Sequence, residues 1–63
     1  MRETPDLFAD YVQARADHDA RPSAISAARM LGSYAEWIVD FCPEAAEHCV
    51  AWLTRALRLR GQL

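Results

Sequence analysis

Apolar positions recur along most of this chain at steps of three and four, the period of an α-helix, and the run that shows it best is C-terminal. From Cys42 to Gln62, a turn of about 100° per residue places Glu44, Glu47, His48, Ala51, Thr54, Arg55 and Arg58 on one side. The opposite side is wide enough to hold two apolar stripes. Ala45, Cys49, Trp52, Ala56, Leu59 and Leu63 follow the alternating spacing of a short heptad seam, and Ala46, Val50, Leu53 and Leu57 run beside it. A single helix needs only one stripe to pack on its own domain. The other is expected either to lie on the first helix, through Trp52 and Leu59, or to form an interface with a partner.

The remaining pattern predicts three further helices. Thr4-Pro5-Asp6 reads as a helix start, with a capping hydroxyl, proline in the first turn and an acid at the positive end of the dipole. A helix over 5–17 follows, with Leu7, Phe8, Tyr11 and Val12 on one stripe. Asp17 to Pro22 reads as a loop, because acids oppose the dipole at a helix C-terminus and Pro22 biases Arg21 away from helical backbone. Ser23 can cap a helix over 24–31 that ends at Gly32 in a left-handed conformation. Ser33 and Glu36 fit a capping box for a helix over 34–42, whose Tyr34, Trp37, Ile38 and Phe41 form the cleanest core stripe. Pro43 removes the amide that would bond Val39 and breaks the chain there, so the last and longest helix spans 43–60, with Gly61 at its left-handed end. The expected fold is all-α, a small bundle of about four helices forming a single domain over 1–63.

Composition narrows what such a bundle can do. With 63 residues the core is marginal, and a partner subunit would add to it. All seven basic residues are arginine and the net charge is −2, without a basic run, which argues against nucleic acid as the main partner. No apolar stretch approaches the ~20 residues of a spanning helix, and MRETPDLF lacks a secretory hydrophobic region, so the expected location is cytoplasmic. Cys42 and Cys49 are the only cysteines; on one helix they stand about 10 Å apart, too far to bridge, and are expected to be reduced thiols.

Candidate chemistry is sparse. Asp17-His18-Asp19 has metal-ligating side chains but no second cluster, and reads as a solvated turn. His48 diverges from Cys49 by the 100° helical step, and the six-residue spacing of Cys42 and His48 separates that pair too unless the break at Pro43 bends them together, so a paired thiol and base are not expected. Phosphate-binding glycine loops and spaced zinc ligands are absent. No catalytic residue, cofactor or metal is therefore expected. Glu36, Asp40, Glu44 and Glu47 recur at helical spacing and could make an acidic ridge suited to a basic partner surface, or simply a solvated face.

One family pattern is present. Ala28, Gly32 four residues on and Ile38 six beyond resemble the helix-turn-helix of DNA-binding regulators, which implies a corner at Gly32 and a recognition helix over Tyr34 to Phe41. That helix carries Glu36 and Asp40 and no basic residue, the wrong sign for a groove lined by phosphates. The expected function is accordingly a non-enzymatic interaction module that binds and modulates or inhibits a protein partner. Its expected state is a homodimer through Cys49, Trp52, Ala56, Leu59 and Leu63, with a DNA-binding regulator as the alternative.

Overall fold

A computed structural model describes residues 3–63; Met1 and Arg2, and with them the N-terminal edge of the expected domain, lie outside the described residues. The described residues form three helices and no strand: α1 (Thr4–Ala20), α2 (Ala24–Phe41) and α3 (Ala46–Leu59). The fold is all-α, as the periodicity requires, but with three helices instead of four. The longest is α2 with 18 residues; α3 has 14.

α1 outruns its expected end at Asp17. Asp17, His18 and Asp19 remain helical, and the chain stops at Arg21, whose amide bonds Asp17 O and whose backbone is extended as the following proline demands. The reason is tertiary. His18 is buried at 3 % exposure, so the last turn is held by packing that outweighs two acids at a dipole's negative end. At the other end Thr4 is not the cap. Glu3 occupies that position without a side-chain bond, Thr4 is the first helical residue, and its hydroxyl donates to Asp40 on α2.

α2 fuses the two helices expected over 24–31 and 34–42. Gly32 is helical and Ser33 caps nothing. The apolar stripe explains the fusion, since Ala27, Leu31, Tyr34 and Ile38 keep one face in phase across Gly32, and a break there would split that face. The corner implied by the helix-turn-helix resemblance is thus absent, with Ala28, Gly32 and Ile38 on one uninterrupted helix. The cap at Ser23 stands. It forms a reciprocal box, Ser26 N–H donating to Ser23 Oγ at 3.0 Å and Ser23 N–H to Ser26 Oγ at 2.9 Å.

The break at Pro43 is present, but α3 starts three residues later than expected. Ala45 N–H bonds Cys42 O and Ala46 N–H bonds Pro43 O, both i to i+3, and the first i to i+4 bond is from Cys49 N–H to Ala45 O. With alanine at the cap and no side chain to bond the free amides, the chain satisfies them by tightening into this turn. α3 also stops at Leu59, one residue before the expected 60. Gly61, at φ 71°, closes it: its N–H bonds Arg58 O and that of Gln62 bonds Leu57 O, the paired bonds of a Schellman turn.

Packing follows from the short connections. α2 runs antiparallel to α1, matching Phe8 with Trp37 and Tyr11 with Tyr34 at ring separations of 4.9 and 5.2 Å. α3 packs on α2 as well, and the backbones of α1 and α3 do not approach each other. The principal extents are 31 × 22 × 12 Å, and side chains of α1 and α3 face one another across a cleft that Met30 of α2 also lines. Three helices arranged in this way enclose little. Only Ala27, Met30, Ile38, Ala46 and Leu57 are buried apolar residues among those described, with Tyr11, Ala14, Leu31 and Leu53 packed around Ala27, Met30 and Leu57. Of the expected aromatic core stripe, Ile38 is buried, Tyr34 and Trp37 are half-buried, and Phe41 is exposed because α1 begins opposite Asp40 and reaches no further.

Candidate functional site

α3 separates its two apolar stripes cleanly. Ala46 and Leu57 are buried against the rest of the chain, Leu57 at 1 % exposure, with Val50 and Leu53 half-buried between them. The core is therefore served by the stripe 46-50-53-57. The other stripe is centred about 100° further round the helix. On it Trp52 is 66 % exposed and Leu59 78 %, while Cys49 and Ala56 are half-buried. Neither Trp52 nor Leu59 is covered by α1. Leu63 is exposed too, but it lies beyond the Gly61 turn and so outside the helical seam.

The relief of this face is specific. Trp52, Arg55, Ala56 and Leu59, at i, i+3, i+4 and i+7, line a shallow hollow of ≈ 210 Å³ with Ala56 as its smallest side chain. Four residues at those offsets are the hole into which a facing helix inserts a knob in coiled-coil packing. On the flank toward α1 the same face borders a cleft of ≈ 380 Å³, with Met30, Leu53 and Leu57 among its apolar lining and Arg15, Asp19 and Arg60 among its charged residues.

His18 closes one end of that cleft. Gln62 Oε1 accepts from Nε2–H at 2.9 Å, and Ser26 Oγ lies 2.6 Å from Nδ1. Ser26 Oγ is itself within reach of Arg21 O (3.2 Å) and Ser23 O (3.1 Å), so the cap of α2, the end of α1 and the C-terminal tail share one network. The tail reaches it because Gly61 reverses the chain after α3. Sequence reasoning missed this clamp. The available signal was the stripe of α1, in which Tyr11, Ala14 and His18 continue one face at steps of three and four.

Cys49 marks the border between core and exposed stripe. Burial pushes the Tyr34 phenol above its usual 10.0, and a side-chain hydrogen bond and charge interaction with Cys49, together with the nearby Tyr11, add to the shift. Both cysteines are free thiols, as expected; Cys42 Sγ lies 3.7 Å from Glu44 Oε2.

The carboxylates of the proposed ridge, Glu36, Asp40, Glu44 and Glu47, are all on exposed residues, divided between α2, the 42–45 turn and α3. Two of them have local partners, Asp40 with Thr4 and Glu44 with Cys42, which leaves the ridge less free than the spacing implied. Among the described residues no group of three or more His, Cys, Asp or Glu side chains could hold a metal ion, and no helix is long and apolar enough to cross a membrane. Set against protein-family models, curated proteins and solved structures, the chain matches none.

Proposed function

We propose that this protein is a non-enzymatic helical interaction module that self-associates as a homodimer through α3 and, in that form, binds and modulates a protein partner. The observation that carries the reading is the division of labour on α3. One stripe already serves the core, and the second presents Trp52 and Leu59 to solvent. Fully burying side chains of that size contributes about 1.5–3 kcal/mol each, a gain the isolated chain forgoes. Contiguous exposed apolar surface of this kind marks an interaction site. Glu36 and Glu47 are exposed carboxylates available to a basic partner.

Sedimentation velocity tests the dimer. A helix of 14 residues spans about 21 Å, so the seam is at the low end of specific interfaces and the measurement should extend to about 100 μM protein. Wild type is expected to reach the dimer mass in that range. Trp52→Asp combined with Leu59→Asp should remain monomeric with unchanged helical circular dichroism. A wild type that stays monomeric throughout, or a double variant that still dimerises, sinks the reading.

A further inference from the structure

Taking the dimer through α3 as premise, we infer that its two helices run antiparallel, in one register, with each copy's Trp52 seated in the hollow of the other. The occupant of the Trp52-Arg55-Ala56-Leu59 hollow is thus a second copy of this chain. Two independent features lead to this arrangement.

The first is size. Along the seam large and small residues alternate: Cys49, Trp52, Ala56, Leu59. In an antiparallel pair whose twofold axis passes near Thr54, Trp52 lies opposite the partner's Ala56 and Leu59 opposite the partner's Cys49. Every helical layer then joins one large and one small side chain, which fills space evenly. The hollow has its smallest side chain, Ala56, between Trp52 and Leu59, a relief that suits one bulky side chain from a facing helix. A parallel pair instead sets Trp52 against the partner's Trp52 and offers only the partner's Ala56 to the hollow. One layer would be overfilled and the next left void, and both faults destabilise packing.

The second feature is charge along the helix. Glu44 in the preceding turn and Glu47 in the first turn stand at the start of α3, with Arg55 and Arg58 in its second half and Arg60 at its C-cap. Antiparallel alignment sets each end, and each end of the helix dipole, beside its opposite; parallel alignment doubles both. Glu47 and Arg58 point away from the seam, so this is a field of the whole helix and secondary to size. Arg55 flanks the twofold and meets the partner's Arg55, a cost its exposed and flexible side chain can reduce by splaying.

Exchange of sizes tests the register separately from dimerisation. Trp52→Ala should weaken the dimer about 30-fold or more, as removal of a central aromatic anchor does. Ala56→Trp alone should weaken it by a similar factor, by filling the hollow. The double variant, Trp52→Ala with Ala56→Trp, recreates each large–small pair with the roles exchanged and should recover most of the loss. A second measurement uses Cys42→Ser with Leu59→Cys and a short bismaleimide. Antiparallel pairing predicts a covalent dimer joined from Cys49 to the new thiol at 59, a link that one helix cannot make within itself because those positions are about 15 Å apart. A wild-type dimer joined instead from Cys49 to the partner's Cys49, with no recovery in the double variant, overturns the register and keeps the dimer. A wild type that never dimerises overturns both.

Discussion

At the scale of single residues, His18 holds most of the structure's polar logic. Its imidazole joins α1, the cap of α2 and the tail through Ser26 and Gln62. His18→Ala would lose both bonds and open a gap, for a cost of about 2–3 kcal/mol. Gln62→Ala would lose one bond at the half-buried end of the clamp, about 1 kcal/mol. Chemical denaturation of the two variants should show this order, and equal costs would mean that the tail bond carries the whole clamp. Tyr34 supplies a pH signature. Its folded phenol holds its proton above 10.0 whereas the unfolded one releases it near that value. The unfolded state therefore binds fewer protons as pH rises past 10.0, and stability falls over that window. Tyr34→Phe should flatten the decline in thermal melts. The clamp was illegible in the sequence because Asp17-His18-Asp19 before a proline has the composition of a turn. What keeps it helical is Ser26 and Gln62, 8 and 44 residues away.

At the scale of elements, the two glycines make opposite predictions. Gly32 lies inside α2, exposed, and a methyl group added there would meet nothing within 4 Å. Gly32→Ala should stabilise the protein by about 0.5–1 kcal/mol. Gly61 holds φ 71°, so Gly61→Ala should destabilise by about 1–2 kcal/mol despite equally open space. Thermal shifts of opposite sign would test both placements, and a destabilised Gly32→Ala would restore a corner in α2. A glycine followed by serine invites a stop and a new start, and both residues satisfy that reading locally. The phase of the stripe decided otherwise, for Ala27, Leu31, Tyr34 and Ile38 are core neighbours only on one continuous helix. The break at Pro43 was legible because proline acts through its own ring and missing amide. Where α3 resumes was not, since the turn at 42–45 depends on how its free amides find partners.

At the scale of the whole molecule, the all-α character and the two stripes of α3 were legible from periodicity alone. Which stripe faces inward was not, because both contain bulky residues and the choice is made by their fit to Ala27 and Met30. With so small a core and with Phe8, Val39, Phe41, Trp52 and Leu59 outward, the chain would gain stability from the proposed dimer. The melting temperature should therefore rise with protein concentration, by the mass-action coupling of folding to binding. Differential scanning calorimetry from about 5 to 500 μM would test this, and a constant melting temperature would mean that the exposed stripe contributes nothing to folding.

The order in which the helices touch has a consequence for how the molecule opens. α2 is the only helix whose backbone both others approach, so α1 and α3 are two leaves on one spine. Losing α3 leaves the aromatic ladder between Phe8, Tyr11, Tyr34 and Trp37 in place, whereas losing α2 leaves α1 and α3 joined by little more than the bond of His18 to Gln62. Opening should therefore be graded rather than all at once, with the α1–α2 hairpin as the more persistent unit and α3 as a leaf that swings free when Gln62 lets go of His18. The helix that carries the proposed self-association face would then also be the one that the monomer holds least tightly, and in that dimer each encounter with a second copy would lock it shut.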